Sequence, residues 1–365
     1  MMAGRSCIFG GNHGGIFSEM GAMGPPLGCA GAETVPGEEG AAMRAILYVF
    51  SGTGNTRLAA DKIAAALERR GMRAAVWEAR LPLEEAPDPR DYDVAGFGYP
   101  IHAFNTPRFF LRFAKGLPQV KAMPAFLFKT SGEPFHLNSA SSQPLVRILR
   151  GKGFQPRMDR HLLMPYNIMF RYENSLAKQM YLHTCQMAEV IADDVVAGRD
   201  DMPRYWPWTM LAMYAFRLQW LGAWLNGPLM GAKRELCTGC GKCARKCPAG
   251  NIAMEGGAPR FGWRCTMCMG CVFRCPADAI RPGFLNPWRV NGAYPFERLA
   301  GDDTVPAEFV TEDTRGYFRL FRKYYQKTGR EIAAHRAARE GASQPGQEAA
   351  GPEQEGEPPR ESAEA

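Results

Sequence analysis

Apolar residues in the first half of the chain fall into short unbroken runs, separated by segments of helical period. Ala45 to Phe50 (AILYVF) is a continuous apolar run, the pattern of a strand buried on both faces. After Ser51 to Thr56 (SGTGNT), Leu58, Ile63 and Leu67 recur on one helical face as far as Arg70, and Gly71 supplies a stop. The alternation then repeats. Arg73 to Glu78, Asp93 to Tyr99, Ala125 to Lys129 and Arg157 to Met164 read as strands. Thr106 to Lys115, Gln143 to Arg150 and Glu173 to Ala197 read as helices. Pro107 suits a first helical turn, where its missing N–H is not needed, and Gly151 and Gly198 end the two later helices. This order predicts an α/β fold with a doubly wound, five-stranded parallel sheet. Any ligand then belongs at the carboxyl ends of the strands, near the switch point.

The pattern changes after residue 200. Trp208 to Leu225 is apolar over about five helical turns, but Arg217 and Gln219 interrupt it. A membrane span needs roughly 20 apolar residues, and a central Arg costs about 2.5–3.5 kcal/mol. We therefore expect 201–232 to be a tryptophan-rich linker helix packing two domains together. The alternative is a helix lying on a membrane surface through 206–225. Pro259 to Arg264 reads as a short strand, and 283–311 as an irregular wrap rich in Gly, Pro and Asn. Asp313 to Ala338 reads as a basic helix that docks on the body or on a partner, with aromatics at Tyr317, Phe318, Phe321, Tyr324 and Tyr325. The tail 339–365 is too polar to bury a core and is expected to be disordered. Residues 1–42 are rich in Gly and Ala and lack the apolar segment of a signal peptide. They are expected to be disordered or not native to the protein, with Met43 as an alternative start.

The most specific chemistry lies between Cys237 and Pro276. Cys237, Cys240, Cys243 and Cys247 recur 28 positions on as Cys265, Cys268, Cys271 and Cys275, and Pro248 and Ile252 recur as Pro276 and Ile280. Zinc sites favour two separated pairs of ligands, and disulfides belong to exported chains. Two quartets, each closed by Cys-Pro, fit [4Fe–4S] cubes instead. The fourth cysteine of each run then ligates the other cluster. One cluster takes Cys237, Cys240, Cys243 and Cys275, and the second takes Cys265, Cys268, Cys271 and Cys247. Gly239, Gly241 and Gly270 let backbone N–H groups approach the sulfurs and tune the potential. From about Lys233 to Arg281 the stretch resembles the bacterial two-[4Fe–4S] ferredoxin module, a small α+β ferredoxin-like domain.

Ser51, Gly52, Thr53, Gly54, Asn55 and Thr56 join a strand to a helix. Helix-start N–H groups and three hydroxyls can surround a phosphate there. No lysine stands where a nucleoside-triphosphate loop needs one, and the GxGxxG spacing of dinucleotide sites is absent. A monophosphate fits better. The loop resembles that of flavodoxin, which implies FMN and a flavodoxin-like sheet. The resemblance further implies that the loops after the third and fourth strands hold the isoalloxazine ring. Tyr99, His102 and Phe104 are then candidates for its face, and Ser131 and Gly132 for its edge.

The formal charge is +7, and residues 202–330 carry 19 Lys and Arg against 9 Asp and Glu. Part of that excess offsets the clusters, whose thiolates outweigh their iron charge. The rest suits an acidic redox partner or an anionic membrane surface, and no nucleic-acid recognition element accompanies it. Cys7, Cys29 and Cys185 remain outside the motifs, and free thiols with oxygen-sensitive clusters point to a reducing, cytoplasmic setting. The expected organisation is a flavodoxin-like domain over 43–200, the linker 201–232, a ferredoxin domain over 233–283 and a wrapping segment with the basic helix over 284–338. This module order resembles the EFR1 family of flavodoxin–ferredoxin fusions. The expected function is electron transfer between FMN and two [4Fe–4S] clusters, and on to a partner redox protein. The rival is an FMN-dependent reductase of a small oxidant or quinone, fed by the clusters. No acid–base pair or nucleophile stands out as catalytic.

Overall fold

The structure, a computed structural model, describes residues 42–83, 85–168, 170–288 and 292–342. The expectations for the first 41 residues and for 343–365 concern residues outside this set. Five parallel strands form the main sheet: β1 (Arg44–Val49), β2 (Arg73–Glu78), β3 (Val94–Pro100), β4 (Met123–Ser131) and β5 (Phe154–Leu163). Their order, β2-β1-β3-β4-β5, is the flavodoxin-like doubly wound order. The switch point lies where β1 and β3 pair.

Strand alternation explains the unbroken apolar runs. Leu47 and Val49 point to one face, beneath α1 (Asn55–Glu68) and α4 (Asn174–Val196), with Ile63, Leu67 and Ile191. Ile46, Tyr48, Phe97 and Tyr99 point to the other, beneath α2 (Arg108–Gly116) and α3 (Gln143–Gly151), with Phe110, Phe113 and Leu149. Glycines in β3 make room for large neighbours. A Cβ on Gly96 would lie 2.6 Å from the Phe126 ring, and one on Gly98 would lie 2.2 Å from the Phe128 ring. β5 starts at Phe154, ahead of its expected start.

The linker is two helices, not one: α5 (Pro207–Ala215) and α6 (Gln219–Leu229), separated by a 3-10 turn at Phe216–Leu218. The break falls at the polar interruption. The Arg217 guanidinium turns back over the rings of Tyr214 and Trp220, 4.1 and 5.0 Å from their centroids. Gln219 donates to the His102 carbonyl, and Asn105 Nδ2 donates to the Met213 carbonyl at 2.9 Å. The linker is thereby tied to the loop after β3. Among the described residues no helix is long and apolar enough to cross a membrane.

The cysteine-rich segment pairs β6 (Gly231–Ala232) with β9 (Ile280–Arg281), and β7 (Ile252–Glu255) with β8 (Ala258–Phe261). Helices α7 (Lys242–Arg245) and α8 (Gly270–Phe273) lie in the two cysteine runs. The single strand expected at Pro259 to Arg264 is half of this second hairpin. Gly256 and Gly257, both at positive φ (55° and 76°), make its two-residue turn. Among the described residues the wrap contains a 3-10 turn at Gly283–Trp288 and a short helix, α9 (Phe296–Ala300). The basic helix α10 (Arg319–Ala342) starts later and runs further than expected, and it docks on the body. Phe321 and Ile332 are buried, Thr328 Oγ1 lies 2.8 Å from His183 Nε2, and His335 Nδ1 lies 3.0 Å from Asp193 Oδ2.

At the carboxyl end of the sheet a charge is fully enclosed. Lys129 Nζ lies 2.7 Å from Asp159 Oδ2 and 2.6 Å from Ser142 Oγ, with the lysine and aspartate side chains only 2% and 0% exposed. Removing one member of a buried pair strands the other. We expect Lys129→Met to destabilise the fold by about 3–5 kcal/mol, and Lys129→Met with Asp159→Leu to recover most of that loss. Chemical denaturation checks this; a single variant as stable as wild type contradicts it.

Candidate functional site

The first site is built where β1 meets α1. Gly54, at φ 109°, turns the chain into the helix, and α1 has no side-chain cap and no acidic residue in its first turn. Backbone N–H groups from Gly52 to Arg57 have no protein acceptor among the described residues. Together with the positive end of α1 they form a cradle for an anion. Side chains fix its shape. Thr56 Oγ1 lies 2.7 Å from Thr130 Oγ1, and Asn55 Nδ2 donates to the Pro165 carbonyl at 2.8 Å. Asn167 Nδ2 donates to Thr53 Oγ1 at 2.8 Å, while Asn167 Oδ1 is buried without a partner. A phosphate monoester fits this donor-rich set. Asn167 was not anticipated: a lone Asn in the loop after β5 carries no motif.

Above the cradle runs a cleft walled by the loops after β1, β3, β4 and β5. His102, Ser131 and Gly132 line it, together with Ser51, Gly52, Thr53, Asn55 and Thr56. Enclosure keeps the His102 imidazole neutral, with its pKa lowered to about 4. Two expected ring contacts do not reach the cleft. Tyr99 is fully buried beneath α2, its hydroxyl donating to Ser142 Oγ at 2.9 Å, because strand parity sends it to the same face as Phe97. Phe104, at φ 61°, packs its ring against Phe135 and Phe216, with centroids 6.2 and 4.7 Å away. The aromatic side chain that does line the cleft is Tyr166. Its ring covers Gly132, where an added Cβ would lie 2.2 Å away. Burial and its hydrogen bond to Glu133 raise the Tyr166 phenol well above its ordinary pKa.

The cysteines wall two further cavities. Cys237, Cys240, Cys243 and Cys275 surround one, and Cys247, Cys265, Cys268 and Cys271 surround the other. The grouping is the crossed one, with the fourth cysteine of each run joining the other run's three. None of the eight is in a disulfide. Among the described residues, no three His, Cys, Asp or Glu groups converge closely enough to hold a single metal ion. Ligands of a cube bind separate irons and stand further apart. Backbone donors meet the sulfurs at equivalent places: Asn251 N to Cys247 Sγ and Ala279 N to Cys275 Sγ, both at 3.3 Å. The two quartets differ in setting. Cys240 is exposed, and the backbone N–H of Lys242 lowers its thiol pKa. Cys268 is enclosed, and burial pushes its thiol up to about 12.

The second cavity shares a wall with the cleft. Met267, Cys268 and Met269 line both. A Cβ on Gly52 would lie 1.9 Å from the carbonyl oxygen of Cys268, so only glycine permits this backbone contact. Arg274 Nη2 donates to the Ser51 carbonyl at 3.3 Å across the same seam.

A family described as a 4Fe-4S dicluster domain matches residues 229–276. The chain thus carries an iron–sulfur domain beside a flavodoxin-like sheet, the composition of a redox protein. Solved structures similar to the first part include a flavodoxin from Streptococcus pneumonia TIGR4, 16% identical over 42% of this chain and 99% of that one, with a TM-score of 0.32. Oxidised Flavodoxin 1 from Bacillus cereus is also 16% identical, over 42% of this chain and 97% of that one, with a TM-score of 0.32. Rubredoxin oxygen:oxidoreductase from Desulfovibrio gigas is 20% identical over 42% of this chain and 36% of that one, with a TM-score of 0.26. No curated protein matches the chain.

The crossed quartets lead to an expected outcome. Cys275→Ala removes a ligand from the cavity of Cys237, Cys240 and Cys243, so the cluster signal lost belongs there. Iron bound per chain falls with it. Electron paramagnetic resonance of the anaerobic variant, compared with Cys271→Ala, distinguishes the two cavities; identical spectra from both variants contradict the grouping.

Proposed function

We propose that the protein transfers electrons, holding FMN in the cleft and one [4Fe–4S] cluster in each cysteine-walled cavity. In this reading, the Gly52–Arg57 amides, with Thr53, Thr56 and Asn167, bind the phosphate. His102, Ser131, Gly132 and Tyr166 flank the ring. A flavin takes two electrons and releases them singly, whereas cubane clusters pass one at a time. The chain's own contribution is placement. Joining both modules replaces a diffusive encounter with a high effective concentration, and Met267, Cys268 and Met269 form the wall that the two sites share.

The observation that carries the reading is the contact of Gly52 with the Cys268 carbonyl. It singles out the quartet of Cys247, Cys265, Cys268 and Cys271 as proximal to the flavin. The quartet containing exposed Cys240 is then the distal terminus. Lys242, Arg245 and Lys246 lie along its loop, a charge pattern that fits an acidic partner protein. The order of modules supports membership of the EFR1 flavodoxin–ferredoxin fusions. Peripheral membrane contact is supported by the apolar side chains that α5, α6 and the turn between them leave in water, with Leu211 and Leu218 72% and 74% exposed. The reductase reading is favoured by a separate cavity beside Cys265, described below.

Thr53→Ala with Thr56→Ala removes two hydrogen bonds to a charged group, each worth about 1.5 kcal/mol. FMN should therefore bind about 100-fold more weakly while iron content is unchanged. Flavin titration of the anaerobically purified variant checks this, and unaltered affinity contradicts the phosphate assignment.

A further inference from the structure

A cavity of about 240 Å³ lies between α2, α6 and the segment leading into Cys265. Its size approaches the roughly 300 Å³ at which small-molecule sites begin. Arg108 and Arg112 stand one turn apart on α2, Trp220 and Trp224 stand one turn apart on α6, and Trp263 and Arg264 come from the segment after β8. None of these three guanidinium groups has a salt bridge or side-chain hydrogen bond among the described residues. Two largely buried arginines, by comparison, are paired: Arg70 with Glu189 and Asp193, and Arg160 with Asp194, Asp201 and Glu331. No acidic side chain lines this cavity. The indole N–H of Trp220 is buried without an acceptor, and the Trp224 and Trp263 rings lie 4.6 Å apart.

These features describe one kind of occupant. Three guanidinium groups border a partly enclosed space that no acidic side chain lines, so an anion there meets attraction from each of them. Guanidinium forks match the two oxygens of a carboxylate. Indole faces offer flat apolar area to a ring, and a buried unpartnered donor calls for an acceptor. An inorganic anion would make no use of the indole surface that lines the cavity, and an alkyl chain would leave the arginines without an acceptor. We infer that this cavity binds a planar organic anion, an aromatic carboxylate or a close analogue.

The position of the cavity gives the ligand a role. His102 and Met267 line both this cavity and the cleft, and Cys265 lines both this cavity and that of the proximal quartet. A molecule held here adjoins both redox sites, which gives the reductase reading a place for its small oxidant. To that extent the role rests on the proposed function, whereas the binding itself does not.

The test uses anaerobically purified, cofactor-loaded protein titrated with naphthalene-2-carboxylate, followed by calorimetry and tryptophan fluorescence. One saturable site per chain is expected. Arg108→Gln with Arg112→Gln, both exposed helix positions, should weaken it by at least about tenfold, with iron and flavin contents unchanged. Trp224→Ala should do the same, and naphthalene-2-methanol, which lacks the charge, should bind at least about tenfold more weakly than the carboxylate. Absence of saturable binding, equal affinity in the arginine variant, or acetate binding as tightly as the naphthoate overturns the inference. Protein that binds the naphthoate but lacks flavin overturns the FMN assignment instead, so the two failures are distinguishable.

Discussion

Two backbones meeting without side chains between them hold this molecule's chemistry together. The carbonyl of Cys268 occupies the space that any Cβ on Gly52 would need. One partner is fixed by the sheet, because Gly52 follows the buried strand β1. The other is fixed by the cysteine repeat, whose tight loop leaves little freedom between Cys265 and Cys271. Further seams maintain the alignment. Leu81 N donates to the Pro248 carbonyl at 2.8 Å, joining the loop after β2 to the first cysteine run. Gly227 of α6 sits where a Cβ would lie 2.1 Å from the Gly262 carbonyl oxygen, and Asn226 Nδ2 donates to the Pro282 carbonyl at 3.2 Å. The linker is therefore a clamp, and the modules meet in one register instead of swinging on a tether.

The two halves of the cysteine repeat are not equivalent, and their difference follows from this seam. Gly239 and Gly241 adopt φ 67°, where glycine is at no disadvantage. Their counterparts 28 positions on are Met267 and Met269, at φ 53° and 58°. A side chain in that region costs roughly 1–2 kcal/mol. The cost coincides with a gain. These methionines form the apolar wall between the cleft and the proximal quartet, and Met269 is only 4% exposed. A flexible thioether fills irregular space that glycine would leave open. In the first half, Gly239 and Gly241 adjoin Gly257, Arg245 and Met254 of their own module, and glycine is kept there. Backbone strain thus sits where the modules share a wall, a common location for it in functional sites.

Much of this was legible in the residues. The sheet follows from unbroken apolar runs, and the crossed quartets from spacing and repetition, because both signals are local and periodic. What escaped was mostly non-local. Asn167 and Tyr166 enter the cleft from the loop after β5, through contacts with segments more than a hundred and more than thirty residues away, respectively. The first strand of the Gly256-Gly257 hairpin has only four residues, Ile252–Glu255, too few for a periodic signal. The linker break at Arg217 depends on where that guanidinium finds its rings. Tyr99 is a different case, since its parity with Phe97 and Tyr48 already assigned it to the α2–α3 core. Its place beside the loop after β3 suggests a ring contact, but strand alternation decides where the side chain goes.

The far side of the cleft shows how the C-terminal helix enters the same arrangement. Ser131 Oγ lies 2.8 Å from the Glu133 carbonyl and 2.7 Å from His161 Nε2. A carbonyl can only accept, so the hydroxyl proton goes to Glu133 and His161 donates from Nε2. An imidazole protonated at Nε2 meets that assignment, and the neutral ring is the state here. Enclosure supplies it, aided by the nearby Lys129 charge, and lowers the His161 pKa to about 3. Tyr324 of α10 contributes to the enclosure, its hydroxyl donating to the His161 carbonyl at 2.8 Å. The Lys129 charge is itself held by Asp159 inside the sheet. A buried ion pair, a docked basic helix and a neutral histidine therefore converge on the orientation of one serine hydroxyl at the cleft. The basic helix is part of the framework that presents the cleft, and its Phe321, Tyr324 and Tyr325 pack on the body.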